Sequence, residues 1–327
     1  PRELLSSILI YSKIEKEQVY YNNKYIGLQS ELIYDLIISN NYNNNNDYYN
    51  LLLGGIQILN SSKAYFKKKL AQGGFGIVWL GNLNNNEIEQ DIVFKELLHI
   101  NNNKNTRDFI REIIMMNILT SKYVIQLKGI CSMNKSLQDS KNKIIKDNIK
   151  EEEESLNYML MAIEYAPYGD LVHCKDILKE KSWLLKIKIG LDIARGLSSF
   201  HMSSGVKLIH RDIKSQNIFI FSLDEDSIYD FSSVHGKIGD LGAIVIASPC
   251  YSERIGNYTY TAPEALKGTL TVPYSSEIDI YSFSIVLWEI LTSKIPFEEL
   301  TNKSPENEII NGYRPSLDDI PDDIPND

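Results

Sequence analysis

Between Leu208 and Ile220 the sequence reads LIHRDIKSQNIFI. His210, Arg211, Asp212, Lys214 and Asn217 bring a carboxylate, cations and an amide into one short segment flanked by apolar residues. Asp212 and Asn217 stand in D-x-x-x-x-N spacing with Lys214 between them. An aspartate so placed can accept the proton of an attacking hydroxyl. An asparagine oxygen can ligate a divalent cation, and Lys214 can neutralise charge on a group in flight. A surface loop can hold such a mixture by chance, so the rest of the chain has to decide.

Four other stretches carry residues that gain meaning only together. LAQGGFGIVWL (70–80) sets Gly73, Gly74 and Gly76 between two strand-like runs. Glycine lets the backbone approach a ligand and frees N–H groups for phosphate oxygens, although taken alone an ordinary glycine-containing hairpin is the simpler explanation. Lys95 lies in DIVFKEL among Ile92, Val93, Phe94 and Leu97; a single strand lysine is by default a solvated one. Glu112, in FIREIIMMNIL, sits on an apolar-patterned helix and can pair with Lys95 if helix and strand pack together. Asp240 in KIGDLGAI (237–244) follows an apolar run and precedes Leu241-Gly242, placed to hold a metal that bridges phosphates or, equally, to make a turn before glycine.

The elements that must position these residues follow from pattern and composition. With 327 residues the chain is long enough for two or three domains of roughly 150 residues each. Its 43% hydrophobic and 24% charged residues suit a globular protein. A net charge of −9 argues against the broad basic face of a nucleic-acid binder, so no nucleic-acid partner is expected. Lys67, Lys68 and Lys69 form the only compact basic run and read as a solvated strand edge. Cys131, Cys174 and Cys250 are too few and too far apart for a disulfide framework or a tetrahedral zinc site, so a reducing, cytoplasmic location is expected. The longest apolar region, Tyr281–Leu291, is interrupted by serine and Glu289 and is too short to span a bilayer, and no signal peptide is visible. The chain opens on Pro1, which reads as a cut from something longer.

Along the chain, residues 1–55 form an N-terminal extension, with Leu28, Leu32, Ile33, Leu36 and Ile37 at helical spacing and a low-complexity linker NNYNNNNDYYN at 40–50. From residue 56 short β-type runs follow: IQIL, AYFKKKL, GIVWL and DIVFKELL, with NLNNNE as a turn. A helix is predicted at 108–119 with Phe109, Ile113 and Met116 on one side. The charged stretch SMNKSLQDSKNKIIKDNIKEEEES reads as an exposed insertion, followed by the strand NYMLMAIEY and then by helices at Trp183–His201 and Ile278–Leu291. A small β-rich part at 56–165 and a larger α-rich part at 166–327 predict an α+β protein of two lobes with a cleft between them.

Taken in order, QGGFGIV, IVFK, Glu112, HRDIKSQN, DLG and TAPE resemble the signature set of the eukaryotic protein kinases. EIDIYSFSIVLWEILTSKIPFEE resembles the central helix of that family's C-lobe and the segment after it. EYAPYGDL, HRDIKSQN and YSFSIVLWEILT are most similar to its tyrosine-kinase-like serine/threonine group. The resemblance implies a protein kinase fold, with a β-rich N-lobe at 56–165 and an α-helical C-lobe at 166–327. It implies ATP and Mg2+ as cofactors, a protein substrate, and a place in a larger multidomain signalling protein.

By the same resemblance Ala71, Gly73, Gly74, Gly76, Val78 and Val93 would line the ATP site, and Lys95, steadied by Glu112, would bind the α/β-phosphates. Ile163 would guard the back of the adenine pocket, and Glu164, Tyr165 and Ala166 would be the hinge. Asp212 would be the catalytic base, Lys214 would assist it, and Asn217 and Asp240 would hold magnesium. Asp279 would tie the central helix to the backbone of the HRD segment. Lys214, two residues after Asp212, resembles the serine/threonine pattern. Arg211 would be neutralised by a phosphate on the segment 240–264, where Ser248, Tyr251, Ser252, Tyr258 and Thr259 are the candidate acceptors, Ser248 or Ser252 foremost.

Three positions depart from the family pattern. Ala71 stands at the first loop glycine, Val93 where a small alanine floors the adenine, and Asn257 where a threonine usually bonds the catalytic pair. The family continues beyond NGYRPSLDDIPDDIPND into helices carrying an arginine for Glu264, so a C-lobe truncated at 327 is expected to be less stable than a whole one. A pseudokinase or nucleotide-binding scaffold is the alternative. It would be free to lose one of Lys95, Glu112, Asp212, Asn217 and Asp240, and all five are present. The TAPE segment, which in relatives helps present a protein substrate, argues against a small-molecule kinase.

Overall fold

Alternation of apolar and polar residues over 64–97 and 127–164 builds one antiparallel sheet of five strands. These are β1 (Ala64–Gln72), β2 (Gly76–Asn85), β3 (Ile88–Leu97), β4 (Leu127–Asn134) and β5 (Asn157–Glu164), in the order β1-β2-β3-β5-β4. The computed structural model describes residues 56–60, 64–72, 76–85, 88–97, 109, 112–113, 115–117, 119–134, 157–202, 208–230, 232–246, 258–267, 275–300 and 304–322. They fall into two compact units: Pro1–Ile118 with Gln126–Tyr165, and Leu119–Ile125 with Ala166–Asp327. This is the α+β, two-lobed class expected. The patterns at 1–55 lie outside the described residues.

In the first unit, register decides which side chains share a face. Val78 lies opposite both Ala71 and Lys95, Lys95 opposite Met161, and Val93 opposite Leu80 and Ile163. Because successive strand residues alternate faces, Ala71, Val78, Val93 and Lys95 all stand on one side of the sheet. The other side is a core of Ala64, Leu83, Ile92, Phe94, Leu160 and Ala162, closed by Leu59 and Cys131 and flanked by Phe66 and Trp79. Gly81 is required there: a Cβ would sit 2.2 Å from the Tyr65 carbonyl oxygen and 2.8 Å from the Phe94 ring.

Two local expectations change. IQIL is not a strand. Ile58 makes one parallel bridge to Ile130, with Leu59 N donating to Ile130 O at 2.8 Å and Ile130 N to Gln57 O at 2.9 Å. The segment comes that close because Gly129 has φ 148° and a Cβ there would lie 2.4 Å from Gln57 O. In NLNNNE (82–87) strand β2 takes in residues 82–85 and β3 begins at Ile88, while residues 86 and 87 lie outside the described residues. Lys67, Lys68 and Lys69 are exposed on the edge strand β1, where charge discourages further strand pairing. Helical residues at 109, 112–113 and 115–117 bury Phe109, Ile113 and Met116 as predicted; Leu119 is buried beyond them and Thr120 is exposed.

The second unit is mainly helical. Helices α1 (Leu171–Lys179) and α2 (Trp183–His201) begin at Asp170 and Ser182, whose side chains accept the His173 and Leu185 backbone N–H groups. On α2, Leu185, Ile189, Ile193, Leu197 and Phe200 form the buried stripe, at helical spacing. Short strands β6 (Leu208–Ile209), β7 (Ile218–Ile220), β8 (Gly236–Ile238) and β9 (Val245–Ile246) pair as β6–β9 and β7–β8. Helices α3 (Pro263–Leu266), α4 (Glu277–Thr292) and α5 (Pro305–Ile310) follow. Leu119–Ile125 joins this unit through Ile125 N to Ile238 O and Ile238 N to Tyr123 O, at 2.8 and 2.9 Å.

One buried ion pair anchors the acidic connection FSLDEDSIYDFSS. Lys188 Nζ lies 2.7 and 2.9 Å from the two Asp192 oxygens, and the side chains are only 4% and 0% exposed. Asp192 also accepts the His235 N–H at 2.8 Å, while Lys188 donates to Ser233 O at 2.9 Å. Removing one partner strands a charge without water. Asp192→Ala is therefore expected to lower unfolding free energy by about 3–5 kcal/mol. Urea denaturation checks this, and a loss below about 1 kcal/mol, the range of an exposed pair, would contradict it.

Candidate active site

In the first unit Lys95 Nζ reaches both carboxylate oxygens of Glu112, at 2.8 and 2.6 Å. Strand β3 aims the lysine off the face it shares with Ala71, Val78 and Val93, and the helical residues around Glu112 bury that carboxylate to 8% exposure. The half-buried pair holds an ammonium in one place and leaves it part of its solvent access, at 22% exposure. Gly76 is buried at the start of β2, opposite Leu97. Gly73 and Gly74 lie outside the described residues. Glu164, at the end of β5, exchanges hydrogen bonds with Gln126: its Oε1 accepts the Gln126 N–H at 2.8 Å, and its own N–H donates to Gln126 O at 3.1 Å.

In the second unit the opening segment folds as a chain of specified contacts. Lys214 Nζ donates to Asp212 Oδ2 at 2.7 Å, and Asn217 Nδ2 donates to the same oxygen at 3.0 Å and to the Asp212 carbonyl at 2.8 Å. Both donors therefore converge on Oδ2, and among the described residues none is hydrogen-bonded to Oδ1. Asn217 commits its N–H groups to Asp212, and its amide oxygen keeps its acceptor capacity. Gly239 N donates to Asn217 O at 2.8 Å, setting Asp240 beside this cluster. Asp240 is exposed and adopts a left-handed backbone with φ 57°, and among the described residues no donor is bonded to its carboxylate. Ala166 is buried just before α1.

The donor set fits magnesium. An amide oxygen and a carboxylate are hard ligands, and Mg2+ is usually held by one or two such groups together with substrate phosphates rather than by a protein cage. Among the described residues no group of three or more histidine, cysteine or acidic side chains is placed to hold a metal ion.

Asp279 on α4 holds the segment from below, as the family resemblance implies. Its fully buried carboxylate accepts the His210 and Arg211 N–H groups at 2.8 and 2.9 Å, and lies 2.9 Å from His201 Nε2. Arg211 is thereby kept at φ 66°, a strained conformation for a non-glycine residue, with its Nε donating to Ala243 O at 2.7 Å. His210 is fully buried, and burial pushes its imidazole below the usual histidine range despite the nearby carboxylates. The neutral ring suits its contacts: Nε2–H donates to Gly239 O at 3.1 Å and Nδ1 accepts the Asp212 N–H at 3.4 Å.

Sequence reasoning missed a second buried cluster in this unit, formed by Ser215, Tyr260 and Glu289. Its one signal was a glutamate inside the apolar run SIVLWEIL, which burial forces to find partners. Asn257, Ser248, Tyr251 and Ser252 lie outside the described residues; Tyr258 and Thr259 belong to a short 3-10 turn, Tyr258–Tyr260.

The family model for protein tyrosine and serine/threonine kinases matches residues 64–326. The chain is 31% identical over 262 residues to the probable serine/threonine-protein kinase roco11 of Dictyostelium discoideum, covering 77% of this chain and 15% of that protein. It is 27% identical over 280 residues to the probable serine/threonine-protein kinase qkgA of the same organism, covering 76% and 16%. With the probable serine/threonine-protein kinase PBL21 of Arabidopsis thaliana the identity is 29% over 255 residues, covering 76% and 58%. The chain thus spans less than two thirds of each of these relatives. A family model that runs from β1 through the Asp212–Asp240 cluster and past α4 places the chain in the protein tyrosine and serine/threonine kinase family.

Proposed function

We propose that this domain is an active kinase that transfers the γ-phosphoryl group of ATP to serine and threonine hydroxyls of protein substrates. The observation that carries the reading is the Asp212 carboxylate, with Oδ2 held by Lys214 and Asn217 and Oδ1 left to accept a proton. Asp212 orients the substrate hydroxyl and takes its proton as the oxygen attacks. Lys214, bonded to Asp212, neutralises charge on the phosphoryl group in transit. Lys95, fixed by Glu112, binds the α/β-phosphates, and the backbone around Ala71, Gly73, Gly74 and Gly76 covers the phosphates. Val78 and Val93 contact adenine, and Glu164 and Ala166 offer it backbone groups. Asn217 and Asp240 would hold magnesium, which would supply positive charge to offset that of the phosphates. Because the protein supplies position and charge rather than a covalent step, holding these side chains still is most of its catalytic work.

Lys214 and the names of the relatives support serine and threonine as acceptors. The greater length of those relatives supports a place in a larger multidomain signalling protein. Burial pushes the Cys131 and Cys174 thiols up to about 12 and about 11, and the few, widely spaced cysteines of the sequence support the proposal of a reducing, cytoplasmic setting. A catalytically silent scaffold is the alternative, and the intact Lys95–Glu112 pair and Asp212 contacts disfavour it.

Transfer of label from radiolabelled ATP to generic protein substrates tests the reading. Asp212→Asn is expected to lose about 10²–10⁴-fold in rate, the usual contribution of a positioned base. Lys95→Met should lose at least about 10²-fold. Equal labelling by the wild type and both variants would defeat it. We further propose that a phosphate within 240–264, foremost on Ser248 or Ser252, orders that segment through Arg211. Mass spectrometry after incubation with ATP should find it, and an unmodified segment in a fully active enzyme removes the idea.

His210 adds a pH dependence. The folded protein keeps it neutral, while the unfolded chain protonates it near ~6.5. Below that value the unfolded state binds more protons, so stability should fall as pH drops from about 7.5 to 5.5. His210→Tyr, which cannot take up the proton, should show a shallower decline in melting temperature, and an unchanged slope would reject the assignment.

A further inference from the structure

Arg195, Ser198, Ser199 and Met202 stand at i, i+3, i+4 and i+7 along α2 and its C-terminal cap, so they share one face. Together with Ser121 and Tyr123 from the segment 119–125 they line a groove of about 590 Å3, a size suited to a small ligand. All six residues belong to the second unit, and the proposed phosphoryl transfer uses none of them.

The chain carries a net charge of −9, yet this groove is cationic, and its lining contains no carboxylate among the described residues. Arg195 is held in place there: its Nη1 donates to Tyr123 OH at 3.1 Å, and its guanidinium carbon lies 5.5 Å from the centre of that ring. Lys122 Nζ stands 5.1 Å from the same ring centre and reaches the Ser232 carbonyl at 3.3 Å. The ring offsets part of the cost of keeping two like charges near one another. Asp192 lies 3.8 Å from Arg195, but its carboxylate already accepts two bonds from Lys188 and one from the His235 N–H. Asp230, on the adjoining connection, accepts the Ser232 N–H and hydroxyl, both at 2.8 Å. Lys188 thus balances the charge of Asp192, and the field over the groove stays positive.

The remaining groups suit an anion that carries an organic body. Ser198 Oγ donates to the Met202 sulfur at 3.2 Å, a weak acceptor that an anionic oxygen displaces. Ser121 Oγ accepts the Tyr123 N–H at 3.4 Å, which orients that hydroxyl on the opposite wall. The Tyr123 ring and the exposed, adaptable Met202 thioether supply apolar surface beside these polar groups.

We propose that this groove is a binding site for a phosphate monoester, with the Arg195 fork as its main anchor, Lys122 as a second cation and Ser198 as a hydroxyl donor. A planar guanidinium matches two phosphate oxygens at once, and Tyr123 and Met202 pack on the carbon skeleton of the ester. A free ester and a phosphorylated protein side chain present the same group. Tyr123 O accepts the Ile238 N–H at 2.9 Å, and the Ile125 N–H donates to Ile238 O at 2.8 Å. Steadying Tyr123 therefore steadies the end of β8, two residues before Asp240. The site stands whether or not the domain transfers phosphate.

Calorimetric titration of the whole chain with O-phosphoserine, a phosphoserine peptide, the same peptide unphosphorylated and inorganic phosphate tests the assignment. Binding of both esters makes the free ester sufficient, whereas binding of the phosphopeptide alone identifies a protein segment as the source. Arg195→Gln should weaken ester binding at least about tenfold, the scale of a hydrogen bond to a charged group, and Ser198→Ala about threefold. Ser198 is exposed, so Ser198→Ala keeps the test decisive if Arg195→Gln unfolds early. Lys95→Met, in the first unit, should bind the ester as the wild type does, which separates this groove from the nucleotide site. Bound ester should also slow amide hydrogen exchange at Ile125 and Ile238. The proposal is overturned if neither ester binds below about 10 mM, or if inorganic phosphate or the unphosphorylated peptide binds equally well. Binding that survives both Arg195→Gln and Ser198→Ala, or that Lys95→Met abolishes, overturns it too.

Discussion

The carboxylate of Asp279 is the contact on which the geometry of the second unit depends. It is buried, accepts two consecutive backbone N–H groups from His210 and Arg211, and meets His201 from α2. A carboxylate shut away from water has to be satisfied by donors, and here the donors are the backbone of the segment that carries Asp212. The strained φ of Arg211 persists because its N–H and its side chain are both engaged. Asp212, Lys214 and Asn217 inherit that fixed backbone, so their hydrogen bonds form without a search among loop conformations.

Three buried carboxylates play related parts at different depths. Asp279 holds backbone, Glu289 holds two hydroxyls, and Asp192 pairs with Lys188 while capping the His235 N–H. Each turns an expensive burial into a specification, because only one arrangement of neighbours satisfies it. In the first unit the same logic works at lower cost. The Lys95–Glu112 pair keeps part of its hydration, and the sheet register alone places Lys95 with Ala71, Val78 and Val93.

The long elements were legible because their periodicity is strong. Trp183–His201 was predicted to the residue, and Ile278–Leu291 proved to be the body of Glu277–Thr292. IQIL was misread because a four-residue run with three apolar residues is compatible with a strand or with a single bridge. What decides between them is Gly129, seventy residues on, whose missing Cβ admits the Gln57 carbonyl. The Ser215–Tyr260–Glu289 cluster and the Lys188–Asp192 pair escaped notice because a charge in a helical pattern is ordinarily solvated, and burial is a property of the packed chain.

The sequence by itself determined which chemical groups are available and in what order, since Lys95, Glu112, Asp212, Lys214, Asn217 and Asp240 are chosen by side-chain type and local spacing. Tertiary structure alone decided that both Lys214 and Asn217 settle on one oxygen of Asp212, that His210 stays neutral, and that Glu289 joins two segments 45 residues apart. The reason is physical. Spacing along a chain constrains only near neighbours, whereas desolvation acts through whatever the fold brings alongside, and it is desolvation that compels these polar groups to find one another.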